Sequence, residues 1–357
     1  FDDAAVTTIK GGIRAANDVI PSEDNRRRGI MSSPSAIDAL LRDYAGGGYF
    51  SRLINHPRPH GLRQPPVLVY FAALSGATPR FTIVMPAFNH ESNIEDTLDA
   101  AARSASLPFA CIIVDDGSED ATVERATSFL ESRRSPLVAT ATIIRNPIPA
   151  FETACDNLGF MLADTEIIVE VQADIQIREP AFDALFMRAG ATSPKPSAIS
   201  GRCGHTFTLL QSRGLLRSLL RRPSHESVGL CGKAIETPEV INNIKGQIYR
   251  CETVNRGPWM VFKSDLERHG YLDERHFFLG NDDHDYHRRL FSAEGRRPLY
   301  VPMSLSAPLA LGARRRPRTG VNRDVFKLLK TEKRSSPAFH DFINSLTASH
   351  LPDVISG

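Results

Sequence analysis

The chain lacks any apolar run near the roughly 20 residues that a bilayer-crossing helix needs. Its longest candidate, Val67–Leu74, reads as a packed strand or helix. It also lacks paired cysteines: Cys111, Cys155, Cys203, Cys231 and Cys251 are odd in number, scattered and without CxxC spacing. Neither a zinc framework nor a disulfide scaffold is therefore expected, although a bridge between two of Cys203, Cys231 and Cys251 stays open. Reduced thiols fit a reducing, cytoplasmic compartment. Net charge is small, with 43 Lys and Arg against 41 Asp and Glu, so no nucleic-acid partner is expected. The opening Phe1-Asp2-Asp3 is acidic where a signal peptide is basic. Because the first residue is Phe rather than Met, an upstream segment bearing an anchor stays open.

What is present suffices for one large core with a smaller appendage, since 41% of 357 residues are hydrophobic. Residues 1–78 read as an N-terminal extension, helical or irregular. Within it Ser35–Tyr44 is an amphipathic helix stopped by Gly46-Gly47-Gly48. His56-Pro57-Arg58-Pro59-His60 is better read as a solvated loop than as a metal site. Residues 79–305 alternate strand and helix with short connections, the pattern of an α/β domain. Residues 306–357 form a basic tail, in which Arg314–Arg334 holds nine Lys and Arg against Asp324 and Glu332. That tail suits solvent, a flap over phosphates, or a peripheral contact with an anionic membrane.

In the central part, Phe81–Met85 and Phe109–Val114 are apolar runs that predict buried parallel strands. Ser92-Asn93-Ile94-Glu95 has the form of a capping box and opens a helix through Arg103. The strand ends carry Pro86-Ala87-Phe88-Asn89 and Asp115-Asp116-Gly117-Ser118. In such a βαβ unit ligands sit beyond the carboxyl ends of the strands. A strand-end carboxylate accepts hydrogen bonds from a base or ribose, and a following helix N-terminus favours phosphate. Further along, helices are expected at Asp120–Arg133, Ala150–Ala163, Pro180–Ala189 and Asp282–Glu294, the last closed by Gly295. Strands are expected at Ala139–Ile144, Ile167–Val171, Ser197–Gly201, Trp259–Phe262 and Pro298–Val301. Ser264-Asp265-Leu266-Glu267 is a second capping box. Between Gly204 and Thr253 the pattern loosens.

Three more motifs follow: Arg145-Asn146 with Ala154-Cys155-Asp156-Asn157-Leu158-Gly159, then Gln172-Ala173-Asp174, then Asn281-Asp282-Asp283-His284-Asp285 before Arg288-Arg289-Leu290. Together with Arg256-Gly257-Pro258-Trp259-Met260, this ordered set resembles the family-2 glycosyltransferases over residues 81 to 302. The resemblance implies an α/β GT-A fold, a Rossmann-like doubly wound mixed sheet with flanking helices. It implies inverting transfer from a nucleotide-diphosphate sugar, a UDP-sugar, to a glycan or other hydroxyl acceptor. Carried over motif by motif, Pro86, Ala87, Asn89, Asp115, Asp116, Arg145 and Ala173 line the nucleotide. Asp174 holds Mn²⁺ or Mg²⁺, Asp283 is the catalytic base, and Trp259, Asp282 and Asp285 form the acceptor-side loop. Gln172 departs from the family's Asp-x-Asp and weakens the metal site, because a neutral oxygen is a poorer ligand for a hard cation. Pro147 and Pro149 stand where glycines are usual. A non-catalytic nucleotide- or glycan-binding relative is the alternative. A sugar nucleotidyltransferase would need a Gly-rich phosphate loop, which Pro86–His90 lacks. Asp282, Asp283 and Asp285 with His284 and His287 also admit an independent metal site.

Overall fold

The structure, a computed structural model, describes residues 33–45, 64–132, 135–203, 226–228, 246–274, 277–278, 280–306 and 353–355. The His56–His60 loop, Cys231 and the Arg314–Arg334 stretch lie outside them. A ten-stranded sheet runs through the molecule in the order β1-β4-β3-β2-β5-β10-β7-β11-β9-β13. Its strands are β1 (Val67–Ala73), β2 (Phe81–Ala87), β3 (Phe109–Asp115), β4 (Val138–Arg145), β5 (Ile167–Glu170), β7 (Ile199–Cys203), β9 (Ile248–Arg250), β10 (Val254–Phe262), β11 (Leu299–Tyr300) and β13 (Asp353–Ile355). The four strands β4-β3-β2-β5 are parallel, and β10 then joins β5 in the antiparallel sense, which makes the sheet mixed. A small second sheet has the order β6-β12-β8, from Gln176–Ile177, Ser304–Ser306 and Glu226–Val228.

The sheet is covered on both faces because successive strand residues point to opposite sides. Ile83, Met85, Cys111 and Ile113 join one apolar layer with the helices Ile94–Ser104, Thr122–Ser132 and Phe182–Gly190. Val84, Ile112, Val114 and Ile168 join the other with the helices Pro34–Ala45, Glu152–Leu162, Lys263–His269 and Asp282–Glu294. Every residue of β2 is buried, as its apolar run, interrupted only by Thr82, suits a central parallel strand. Gly159 lets the Glu152–Leu162 helix lie close upon β2, since a Cβ there would overlap the Val84 side chain.

Both capping boxes dissolve on folding. Asn93 makes no side-chain cap; its amide donates instead to the Ala173 carbonyl at 2.6 Å, a tertiary partner in the β5–β6 turn. Ser264 hydrogen-bonds Glu166 rather than its own helix. Cys251 is buried and in no disulfide, as are Cys111 and Cys155, so no bridge forms through Cys251. Burial pushes the Cys111 thiol up to about 12 and leaves it inert. No helix among the described residues is long and apolar enough to cross a membrane.

Candidate active site

Strand register sets Ala87 beside Asp115 and Asp115 beside Arg145, three adjacent carboxyl ends. Pro86 precedes Ala87 within buried β2. The ladder runs one step further, with the Asp116 amide donating to the Ala87 carbonyl and the Asn146 amide to the Asp115 carbonyl, each at 2.8 Å. Gly117 then turns the chain at φ +73°, where a Cβ would stand 3.2 Å from the Asn146 carbonyl oxygen. Asn89, itself at φ 55°, ties the two loops together. Its amide donates to Ser118 Oγ at 2.9 Å and its side-chain oxygen accepts from the Glu119 amide at 2.8 Å.

Asp115 and Asp116 have different surroundings. Asp115 is wholly buried; its Oδ2 accepts from the Ser118 amide at 3.2 Å and faces Arg145 Nε at 3.4 Å. Its Oδ1 is buried without a partner. Burial raises this carboxyl to about 6, against the lowering effect of the Ser118 hydrogen bonds and the Arg145 charge. Arg145 is 42% exposed and also donates to the Ser118 carbonyl at 2.6 Å. Asp116 instead accepts from Asn146 Nδ2 at 3.0 Å and from the Ala150 and Phe151 amides at 2.6 and 2.8 Å. It fastens the β4 loop, including the segment with Pro147 and Pro149, to the end of β3.

Next along the crevice is the Gln172-Ala173-Asp174 turn. The Ala173 carbonyl accepts from both Asn93 and Thr97, the latter at 2.9 Å, which anchors the turn to a helix start. Gln172 Nε2 donates to Glu152 Oε1, and its Oε1 accepts from Arg202 Nη1 at 3.0 Å. Glu152 Oε2 faces Arg256 Nη2 at 3.3 Å, and Arg256 Nη1 pairs with Asp156 and, at 3.1 Å, with Asp282 Oδ2. Arg256 is thus the cation shared by three carboxylates. Burial would lower its pKa, but Asp282, Glu152 and Asp283 outweigh that and raise it. Burial, then the neighbouring Glu152, push the β5 residue Glu170 well above the usual carboxylate range.

The Asp282–Glu294 helix starts against this network. Asp282 is wholly buried, accepts from Thr153 Oγ1 at 2.7 Å, and is raised by burial despite Arg256. Asp283 goes the other way. Burial opposes its ionisation, yet His284 and Arg256 hold it well below the usual range. Asp285 is clasped by Arg288 and Arg289, with its oxygens 2.8 and 3.0 Å from their nitrogens. Trp259 was expected, from its motif, in the acceptor-side loop. It is fully buried in β10, edge-on to Tyr286 and His287, because its strand is paired on both sides and its ring faces a helix-covered layer. Burial also holds His287 neutral, at about 3.

Glu152, Asp156, Arg202 and Arg256 were not assigned from sequence. Glu152 and Asp156, four apart on an otherwise apolar helix, carried a readable signal, since that spacing puts both on one face. Arg256 stood inside a quoted motif, and Arg202 had no local mark.

A cation would find one suitable ligand in the turn. Asp174 keeps its carboxylate, the chemistry a hard cation takes, whereas the Gln172 oxygen is engaged by a guanidinium. Among the described residues no three His, Cys, Asp or Glu are grouped to hold a metal.

Comparison with known proteins bears on this crevice. Residues 82–194, from β2 past the Asp174 turn, match the family described as Glycosyl transferase family 2. The human dolichyl-phosphate beta-glucosyltransferase is 25% identical over 171 residues, 44% of this chain and 52% of the relative, and the mouse protein matches equally. The chain therefore spans about half the length of the curated relatives it matches. Among solved structures, the mannosyltransferase PcManGT from Pyrobaculum calidifontis, in complex with GDP-Man and Mn²⁺, has a TM-score of 0.47 at 16% identity. The likeness covers 87% of this chain and 84% of that one. GalNAc-T7 with UDP, GalNAc and Mn²⁺ has a TM-score of 0.45 at 11% identity, covering 80% and 53%. The matched segment holds Asp115, Arg145 and Asp174, while Arg256 and Asp282–Asp285 lie beyond it in the chain. The mixed sheet covered by helices on both faces agrees with the α/β mixed sheet with flanking helices that was expected.

Proposed function

We propose that the protein is an inverting glycosyltransferase that moves a sugar from a UDP-sugar to a hydroxyl on a glycan or similar acceptor. One observation carries this reading. A wholly buried Asp115 with an unpartnered oxygen stands at the strand ends, and an anionic Asp283 is joined to the same crevice through Arg256, Glu152 and Gln172. Asp115 accepts hydrogen bonds from the nucleoside, and Arg145, partly exposed beside it, adds positive charge toward the donor. Asn89 and Ala87 shape the same wall. Asp174 would hold Mn²⁺ or Mg²⁺ together with the donor's phosphates, and that ion, when bound, would neutralise the departing diphosphate. The helix start around Asp283 takes the acceptor's proton as its oxygen attacks the anomeric carbon from the face opposite the leaving group.

The Arg314–Arg334 stretch gives the chain a sequence suited to an anionic membrane surface. The engagement of Gln172 by Arg202 favours a second reading, a protein that binds the nucleotide without transfer. A thermal-shift screen of nucleotide sugars, followed by an assay for released nucleoside diphosphate, separates the two. A ligand at 100 times its Kd stabilises the fold by about 2.7 kcal/mol. Binding with release supports the transferase, binding without release the second reading, and no shift with any donor contradicts both.

A further inference from the structure

Gln172 is held at both ends of its amide. Its Oε1 accepts from Arg202 Nη1 at 3.0 Å, and its Nε2 donates to Glu152 Oε1 at 2.5 Å. A guanidinium can only donate and an ionised carboxylate can only accept, so these two partners fix which way the amide points. A carboxylate at 172 would suit Arg202 but would set two like charges against each other at Glu152. The amide at 172, where the resemblance implies an acid, is thus the group that fits an acid standing opposite it. That acid opens the Glu152–Leu162 helix, one hydrogen bond from the turn.

Three observations make Glu152 the acid whose charge acts on the Asp174 turn. Its side chain is 16% exposed, whereas those of Asp156 and Asp282, its fellow partners of Arg256, are wholly buried. Its charge is only partly offset, because Arg256 is divided among all three carboxylates. Its field also reaches the end of β5, where it helps burial to push up Glu170, two residues before Gln172. The Ala173 carbonyl, tied to Asn93 and Thr97, keeps Gln172 and Asp174 in one fixed turn. We propose that Glu152 supplies, from the helix, the negative charge that an acid at 172 would give, and so sets how tightly the Asp174 turn takes a divalent cation beside the donor's diphosphate. This inference rests on the glycosyltransferase reading and deepens it. Glu152 acts here through Gln172 and through its field, as a positioning residue, while Asp174 is the ligand. A fixed charge or hydrogen bond beside a ligand strengthens cation binding without touching the ion.

The test uses the full chain, calorimetry of Mn²⁺ with UDP present, and calorimetry of UDP without metal. Glu152→Gln is expected to weaken Mn²⁺ binding by about 10–100-fold and to leave metal-free UDP binding within twofold of wild type. Combining Glu152→Gln with Gln172→Glu exchanges the two groups and keeps every partner. Arg202 then meets a carboxylate, the amide at 152 donates to it, and that amide's oxygen faces Arg256. This exchanged variant should return Mn²⁺ affinity to within threefold of wild type or above it. Mn²⁺ binding in Glu152→Gln within threefold of wild type overturns the inference. An exchanged variant that folds yet binds Mn²⁺ as weakly as the single one does so too. An equal fall in metal-free UDP binding marks a collapsed turn and also overturns it. If Glu152→Gln does not fold, Glu152→Ala decides by the same limits. A wild-type protein that binds UDP but no Mn²⁺ overturns this inference alone, and one that binds neither contradicts the underlying reading as well.

Discussion

Replacing Asp115 by Asn should stabilise the free protein and weaken its nucleotide site. Burial raises the Asp115 carboxyl from 3.8 to about 6, so keeping it ionised in the folded chain costs free energy at neutral pH. Each pKa unit is about 1.4 kcal/mol, which puts the cost near 3 kcal/mol. That value already contains the attraction to Arg145, so the net gain is about 3 kcal/mol. Because the folded-state value lies above the unfolded one, the carboxyl's favourable contribution is fully present below pH 3.8 and is lost as pH rises through about 6. The gain from Asp115→Asn therefore belongs to pH 7–8 and fades toward pH 4. At roughly 2–4 °C per kcal/mol, Tm should rise by about 6–12 °C at pH 8. UDP binding should move the other way, since a neutral amide replaces a charge-assisted acceptor. That difference, roughly 1–1.5 kcal/mol, is about tenfold in Kd. Melting curves from pH 4 to 8 and calorimetry with UDP measure both. A variant that melts below wild type at pH 8, or binds UDP equally well, refutes the reasoning.

Gln172→Glu keeps the side-chain shape but removes the donor to Glu152, and the new repulsion there is balanced by closer attraction to Arg202. It should destabilise by the lost hydrogen bond to a charged group, roughly 1.5–3 kcal/mol at pH 7.5. Melting with and without Mn²⁺ checks this, and a variant as stable as wild type at pH 7.5 contradicts it. Arg256→Met leaves Glu152, Asp156 and Asp282 without their shared cation and should cost about 3–5 kcal/mol by urea unfolding. Gly159→Ala forces the Glu152–Leu162 helix off Val84 and should cost about 1–3 kcal/mol, read as a fall in Tm.

The strands that carry the crevice were legible because β2, β3 and β5 are mostly apolar runs that need little context to be buried, and β4 is one interrupted by Thr140 and Thr142. Their ends were legible too, since DDGS and QAD are polar residues where such a run stops. What escaped was chemistry that depends on distant partners. Asn93 looked like part of a cap, but a carbonyl 80 residues away is the acceptor its amide meets. Gln172 looked like a defective metal ligand. Its setting is defined by Glu152, 20 residues before it, and Arg202, 30 after, and no local pattern joins the three. Trp259 was assigned by its motif to the surface of a site. Its place is decided by strands pairing on both sides of β10, which periodicity does not reveal. The strands of the small sheet, two and three residues long, are too short to carry any period.

The placement of β10 beside β5 has a consequence for what can be cut from this chain. The recognisable stretch, 82–194, ends before β7 and β10 are made, and so contains only the parallel strands β2 to β5 of the large sheet. Isolated, it would present two raw sheet edges to solvent: β4 without β1, and β5 without β10. Unpaired edges of apolar strands invite aggregation. The same cut would strand Glu152 and Asp156 on a helix whose neutralising guanidinium was left behind. The segment with Asp115 and the segment with Arg256 and Asp283 are thus two incomplete pieces, joined edge to edge along one strand pair and riveted by one arginine.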